Sequence, residues 1–135
     1  MLDSLKTKGV AHFSIPVTDT ERSQTFYSDV LGMKVLASDH RAGMVFLDSG
    51  GDCIILVRSE VAGTPPEGLN VHHAFVVDKE AYRDSIAYLE SKGVKILSEE
   101  DRPKGVVCGP RAYFHDPDGN VLEIIDLTSY AGAAG

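Results

Sequence analysis

The sequence predicts an α+β fold of paired βαβββ modules, whose strands form an open, barrel-like mixed sheet. The main observation is an internal repeat. A Gly-Met-Lys-Val-Leu segment begins at Gly32 downstream of His12, and a Gly-Val-Lys-Ile-Leu segment begins at Gly93 downstream of His72. The two histidines are 60 positions apart and the two glycines are 61 apart. Repeats of this length indicate a duplicated supersecondary unit.

The strands of the first half are predicted from alternation and from turns. Residues 9–17 alternate so that His12, Ser14 and Pro16 share one face of a strand. Three further strands are expected, separated by polar or glycine-containing turns, at residues 33–38, 43–48 and 52–58.

A helix of about three turns is expected between the first two strands. Thr18 and Glu21 have the spacing of a capping box, and Gly32 is the expected stop. Its predicted buried stripe consists of Phe26, Val30 and Leu31.

The second half repeats this order of elements. A strand over 71–77 should place His72 on one face and His73 on the other. A helix over 79–92 follows, for which Asp78 is the expected cap. The predicted stripe of this helix is Tyr82, Ile86 and Leu89, and further strands are expected at 94–98, about 106–115 and 120–127.

The chain of 135 residues is therefore expected to be a single domain with two modules. The first module spans 9–58 and the second spans 71–128. The segment 59–70 contains two glycines and two prolines without periodicity, which indicates a linker.

Composition excludes several classes of function. A net charge of -7 argues against a nucleic-acid partner, because such modules present a basic face. No apolar run approaches the roughly 18 residues of a membrane span, and the N-terminus is a poor secretory signal. Cys53 and Cys108 lack the Cys-x-x-Cys spacing. We therefore expect a cytoplasmic protein without a nucleic-acid or membrane partner.

The repeat predicts a metal site. The segment from Phe46 resembles the segment from Phe114 at an offset of 68, which pairs Ile55 with Glu123. His12, His72 and Glu123 then occupy equivalent places in the two modules, with an apolar residue in the fourth place. Two imidazoles and one carboxylate suit several divalent metals and leave coordination positions open. Glu123 lies within an apolar strand, where a charge is costly unless something compensates it.

Simpler interpretations remain open for each of these residues. A lone histidine on a strand is commonly a hydrogen-bonded structural residue, and Glu123 could face solvent at an edge. His73 is the alternative to His72, although the repeat and the strand alternation both favour His72. His40 and His115 are expected to be surface or turn residues.

The motifs around these residues resemble a known superfamily. The run His-Phe-Ser-Ile-Pro-Val-Thr-Asp from His12, the run Phe-Tyr-Ser-Asp-Val-Leu-Gly-Met from Phe26, and the run from Tyr113 to Glu123 are similar to the vicinal oxygen chelate superfamily. This superfamily includes glyoxalase I, fosfomycin-modifying enzymes, extradiol dioxygenases and bleomycin resistance proteins. The resemblance covers roughly residues 9–128. It implies paired βαβββ modules, a homodimer, and a divalent ion (Fe, Mn, Ni or Zn) held by the three predicted ligands.

No subfamily fits fully. Ile55 stands where glyoxalase I has a fourth, acidic ligand, and bleomycin-binding members lack the ligands present here. Fosfomycin enzymes share the ligand set and a tyrosine at Tyr113, but carry a basic residue shortly after the ligand glutamate, which this chain lacks. Dioxygenases share the Tyr113–Glu123 spacing, but their acid–base histidine is absent near Val57.

The resemblance favours a metal-dependent enzyme that chelates neighbouring oxygens of a small substrate and stabilises the charge that develops on them. Dioxygenase chemistry ranks slightly above glyoxalase-like isomerisation or thiol addition. A non-catalytic binding protein is the other class. Tyr113 is the expected catalytic residue, because its phenol can donate a hydrogen bond to a bound substrate oxygen. A packed aromatic is the alternative for Tyr113.

Overall fold

The computed structural model of the chain describes residues 3–59, 68–69 and 71–130. The chain forms two compact units, Met1–Glu60 and Val61–Gly135, and each contains one mixed sheet. Most of the predicted linker, residues 60–67 and 70, lies outside the described residues. Among the helices described, none has the length and apolar character that crossing a membrane requires.

The first unit has the predicted strand–helix–strand–strand–strand order. Its sheet has the strand order β1-β4-β3-β2, in which β1 and β4 are parallel and the other neighbours are antiparallel. The helix α1 is followed directly by a π-helical turn over Phe26–Val30. The elements are β1 (His12–Val17), α1 (Thr20–Thr25), β2 (Lys34–Asp39), β3 (Met44–Ser49) and β4 (Asp52–Arg58).

The second unit repeats this topology, so the predicted fold class is confirmed. Its sheet has the order β5-β8-β7-β6, again with one parallel pair, and neither sheet closes into a barrel among the described strands. A short strand, β9, pairs with β7 and was not predicted. The elements are β5 (His73–Val76), α2 (Tyr82–Ser91), β6 (Ser98–Arg102), β7 (Val107–His115), β8 (Val121–Ile125) and β9 (Ser129–Tyr130).

The strand registers support part of the repeat alignment. Ser14 pairs with Ile55 in the first unit, and Ala74 pairs with Glu123 in the second. The offset of 60 therefore holds between β1 and β5, and the offset of 68 holds between β4 and β8, so Ile55 corresponds to Glu123. The offset of 68 is wrong for β3 and β7, because Phe46 pairs with Ile55 whereas Tyr113 pairs with Glu123. The connection from β7 to β8 is one residue longer, so Phe46 corresponds to Tyr113.

The predicted helix cap is wrong by one residue. Asp19, and not Thr18, caps α1, because its carboxylate accepts hydrogen bonds from the backbone N–H groups of Glu21 and Arg22 at 3.1 Å each. In the second unit, Asp78 precedes a 3-10 turn over Lys79–Ala81 that leads into α2, and its side chain makes no capping hydrogen bond.

The buried face of the first helix also differs from the predicted one. Its fully buried residues are Thr20, Ser23 and Tyr27, whereas the predicted stripe of Phe26, Val30 and Leu31 is only half-buried. The spacing of the buried residues is helical, but two of them are small and polar, which hydrophobic periodicity does not detect. In α2 the predicted stripe of Tyr82, Ile86 and Leu89 is confirmed as buried.

The sixth strand lies later than predicted. The apolar segment 94–98 was expected to form it, but β6 is the charged segment Ser98–Arg102, all of which is exposed. β6 is an edge strand of its sheet, and edge strands tolerate charged residues because they need not bury a full face. Glu99 on one side of β6 binds Arg83 of α2 at 2.9 Å, so the opposite side of β6 carries Ser98, Glu100 and Arg102.

Candidate metal centre

The centre of the second unit contains a buried carboxylate. All five residues of β8 are buried, and Glu123 in its middle is only 2% exposed. Glu123 Oε1 has no hydrogen-bond partner among the described residues. An unpaired carboxylate oxygen at such a depth is costly, and a cation beside it would offset that cost.

His72, the residue just before β5, faces this carboxylate. His72 Nδ1 lies 2.6 Å from the backbone carbonyl of Leu69. Since a carbonyl only accepts, Nδ1 carries a proton, and in the neutral imidazole the lone pair is then on Nε2. His72 Nε2 is 3.3 Å from Glu123 Oε1, without the geometry of a hydrogen bond. Two acceptor atoms therefore face each other.

This pair fits a divalent metal. Two ligand atoms at about 2.1 Å from one ion lie roughly 3.0–3.4 Å apart at ordinary coordination angles. The Nε2–Oε1 separation of 3.3 Å falls within this range. A hydrogen bond from Nδ1 to a backbone carbonyl is also the usual support of a metal-binding histidine. His72 and Glu123 are thus suited to bind a metal together.

Tyr113 lies beside both residues. It is the direct partner of Glu123 across β7 and β8, and its ring meets the His72 ring edge to face, with 5.3 Å between centroids. The side chain is 4% exposed, and its hydroxyl donates to Glu100 Oε1 at 3.2 Å. Burial, followed by the hydrogen bonding and charge of Glu123 and then of Glu100, raises the pKa of Tyr113 to about 12. The phenol is therefore protonated at neutral pH.

A rigid turn fixes Tyr113 opposite Glu123. The buried Asp116 carboxylate accepts hydrogen bonds from the backbone N–H groups of Asp118 and Asn120 and from the Asn120 side chain, at 2.8–2.9 Å. The predicted turn signal at residues 116–119 is thereby explained, because the aspartate satisfies the backbone of its own turn. The turn sets the register of β7 and β8.

Two further charged residues on this sheet face were not singled out as site residues. In the strand register, Glu100 of β6 lies opposite Arg111 of β7, and Arg111 lies opposite Ile125 of β8. The side chains of Glu100 and Arg111 therefore lie on the same sheet face as those of Tyr113 and Glu123. Arg111 is 4% exposed and donates to the carbonyl oxygens of Gly109 and Val107 at 3.2 and 2.8 Å. Alternation along β7 places Arg111 on the same face as Tyr113. The sequence pattern does not identify Glu100, because it predicts β6 at 94–98, before the observed strand.

The third predicted ligand lies in the other unit. His12 is the first residue of β1 and is exposed, while Ile15 and Val17 on the opposite face of β1 are buried. The structure thus places His12 on the predicted face. Across the residues that the structure describes, no group of three or more His, Cys, Asp or Glu side chains forms a metal-binding cluster. The complete three-ligand set stays a prediction.

His73 differs from His72 in its surroundings. It is half-buried, and burial, followed by the charge of the neighbouring His72, lowers the pKa of its imidazole, while Asp116 opposes this effect. Burial along β5 alternates, with His73 and Phe75 more buried than Ala74 and Val76, as the predicted facing requires. His73 therefore points away from the Glu123 face.

The chain is similar in sequence to two thiol transferases. The chain is 28% identical over 124 residues to the glutathione transferase FosA of Serratia marcescens, covering 92% of this chain and 81% of that protein. It is 28% identical over 120 residues to a metallothiol transferase FosB of Staphylococcus saprophyticus, covering 87% of this chain and 76% of that one.

Solved structures share the fold. The fosfomycin resistance protein FosX of Listeria monocytogenes, with Mn(II) and 1S,2S-dihydroxypropylphosphonic acid, superposes with a TM-score of 0.75 at 20% identity, covering 91% of this chain and 93% of that one. Residues 9–124 match the family model described as Glyoxalase/Bleomycin resistance protein/Dioxygenase superfamily. The chain therefore belongs to the glyoxalase/bleomycin resistance protein/dioxygenase superfamily.

Proposed function

We propose that this protein is a divalent-metal-dependent enzyme that acts on a small molecule with two neighbouring oxygens. His12, His72 and Glu123 would hold the ion. The observation that carries the proposal is the buried Oε1 of Glu123, which has no hydrogen-bond partner among the described residues and lies 3.3 Å from Nε2 of His72, whose Nδ1 proton is directed at the carbonyl of Leu69. The superfamily includes metal-dependent enzymes, and a solved relative contains Mn(II).

The residues around the pair have distinct expected roles. A bound divalent ion would act as a Lewis acid that stabilises negative charge on substrate oxygens. Tyr113 lies next to the pair with a phenol that is protonated at neutral pH, so it can donate a hydrogen bond to a substrate oxygen. The surrounding β8 side chains are buried and exclude water, which strengthens both interactions.

Among the reactions of the superfamily, we favour addition of a thiol or of water to an electrophilic substrate such as an epoxide. The curated relatives are named glutathione transferase and metallothiol transferase, which supports the thiol-addition alternative over dioxygenase chemistry. In this addition a sulfur–carbon bond forms, a carbon–oxygen bond breaks, and the thiol proton moves to the released oxygen. The reaction needs no oxidant.

An anionic group on the substrate also has a candidate partner. The sequence lacks a basic residue soon after Glu123, which argues against a phosphonate. However, Arg111 is buried on the same sheet face and pairs with no carboxylate among the described residues. A buried guanidinium held only by carbonyl oxygens can bind an anion. We therefore include Arg111 in the proposed substrate site.

A substrate panel tests the reaction. Protein loaded with Mn(II) should be assayed with an epoxide phosphonate plus glutathione or another thiol, with the same epoxide in water, with a catechol, and with a 2-oxoaldehyde–thiol adduct. We expect turnover with the epoxide, and loss of that turnover in the Glu123→Gln variant. Ring cleavage of the catechol would instead support the dioxygenase alternative, and metal binding without any turnover would support a binding protein.

We also propose that the protein acts as a homodimer. His12 and Phe13 at the start of β1 are exposed in the single chain, Phe13 by 51%, although His12 is a predicted ligand. A second chain could cover this region, and large exposed apolar side chains commonly mark such contacts. Sedimentation at micromolar concentration should give about twice the 14.6 kDa mass of one chain. A stable monomer would contradict the dimer without contradicting the metal site.

A further inference from the structure

The Tyr113 hydroxyl is shared between two carboxylates. It has one proton, which it donates to Glu100 Oε1 at 3.2 Å, although Glu123 is its direct partner across the strands. Glu123 Oε1 meanwhile has no hydrogen-bond partner among the described residues. The phenol therefore lies between the two carboxylates, and its hydrogen bond to Glu100 leaves Glu123 Oε1 without a donor from Tyr113.

Glu100 is held in place to receive this proton. The guanidinium Nη2 of Arg102 lies 3.0 Å from Glu100 Oε1, the same oxygen that accepts from Tyr113. The Glu100 side chain is 38% exposed, so its charge is far less costly than that of the buried Glu123. The ion pair with Arg102 orients the Glu100 carboxylate, and a hydrogen bond to a charged acceptor is stronger than one to a neutral acceptor.

We propose that Glu100 is a positioning residue of the metal site, which accepts the Tyr113 proton and thereby keeps Glu123 Oε1 free to bind the cation. This inference rests on the proposed metal-dependent function. It assigns to β6 a role that acts through Tyr113 and not through contact with the ion or the substrate.

The physical reason is competition for one proton. If Glu100 can no longer accept, the remaining carboxylate beside the phenol is that of Glu123, its partner across the strands. A hydrogen bond to a buried carboxylate is charge-assisted and strong, and it would have to be given up when a metal binds. Loss of the Glu100 acceptor should therefore weaken metal binding through Tyr113.

A double-mutant cycle on Mn(II) affinity tests this role. Isothermal titration should compare the wild type, Glu100→Ala, Tyr113→Phe and the double variant. We expect Glu100→Ala to weaken Mn(II) binding about tenfold, the scale of one hydrogen bond to a charged group. The double variant should bind Mn(II) as Tyr113→Phe does, because no phenol is left to compete. If Glu100→Ala fails to fold, Glu100→Leu serves in its place.

Matched controls separate this role from the loss of a nearby charge. Glu100→Gln removes the charge but keeps an acceptor oxygen, so its Mn(II) affinity should stay near that of the wild type. Glu99→Ala removes the neighbouring carboxylate on the opposite face, where it binds Arg83, and should also leave the affinity unchanged. In metal-free protein with ¹³C-labelled tyrosine, Glu100→Ala should shift the Tyr113 Cζ resonance, whereas Glu99→Ala should not.

Two results would overturn the inference. One is an unchanged Mn(II) affinity in Glu100→Ala. The other is a weakened affinity that Tyr113→Phe does not restore, since the lost charge alone would then explain it. Failure of the wild type to bind Mn(II) would overturn the proposed function as well, so the two failures are distinguishable.

Discussion

His72 and Glu123 face each other through Nε2 and Oε1 at 3.3 Å, and neither atom donates a proton to the other. The carbonyl of Leu69 fixes the His72 proton on Nδ1, on the far side of the ring. The contact therefore brings together two acceptors in a buried place. Such an arrangement is unfavourable by itself and becomes favourable when a cation binds between them.

The metal-free protein should be more stable without the Glu123 charge. Glu123→Gln removes a buried carboxylate oxygen that has no hydrogen-bond partner in the described part of the chain, so we expect the free energy of unfolding of the metal-free protein to stay equal or to rise. Mn(II) should stabilise the wild type but not the variant. Urea unfolding with and without Mn(II) measures both effects. A large loss of stability in the metal-free variant would show that Glu123 has a structural partner.

Tyr113→Phe should separate catalysis from packing. The change removes the hydroxyl and keeps a ring that is 4% exposed and in contact with His72. If the phenol stabilises charge on a substrate oxygen, turnover should fall about ten- to a hundredfold. Steady-state kinetics on an accepted substrate, with melting temperature as the control, measures this. An unaltered rate would leave Tyr113 as a packed aromatic.

Gly109 should be far less tolerant of a side chain than Gly105. Both have a positive φ, of 131° and 116°, but a Cβ at Gly109 would clash with the Asp126 carbonyl oxygen, whereas a Cβ at Gly105 meets nothing within 4 Å. Gly109→Ala must displace backbone behind β8, so we expect a loss of about 3 kcal/mol or more. Gly105→Ala should cost about 1–2 kcal/mol. Urea unfolding compares the two variants, and equal losses would contradict the close approach.

The Tyr113 pKa gives a prediction on pH. Burial and the adjacent carboxylates raise it to about 12, whereas an unfolded tyrosine titrates near ~10. The folded state keeps the Tyr113 proton up to a higher pH than the unfolded state does. The stability that comes from this difference is present below pH ~10 and is lost as pH rises towards 12. Titration by tyrosinate absorbance should show a late-ionising group that disappears in Tyr113→Phe. Ionisation of all five tyrosines near pH ~10 would contradict this environment.

The sequence was sufficient for the topology and for the facing of most of these residues. A repeat with matched strand alternation predicts the same topology twice, and it places Tyr113 near Glu123 through the turn at Asp116. The errors arose where local patterns are weak. β6 is charged and lies at an edge, so no hydrophobic period indicates it, and the sequence pattern does not identify Glu100 as a site residue. The direction of the Tyr113 proton depends on cross-strand contacts, which the sequence does not encode locally.

The most direct test of the account is the number and affinity of metal ions bound in solution. Titration of Mn(II) into metal-free wild type should give one ion per chain. His72→Ala should weaken binding by more than about a hundredfold, the upper range for disturbing the partners of a ligand. The matched variant His73→Ala should bind within about threefold of the wild type, because that side chain lies on the other face of β5. Loss of binding in His73→Ala with normal binding in His72→Ala, or no binding by the wild type, would contradict the proposed centre.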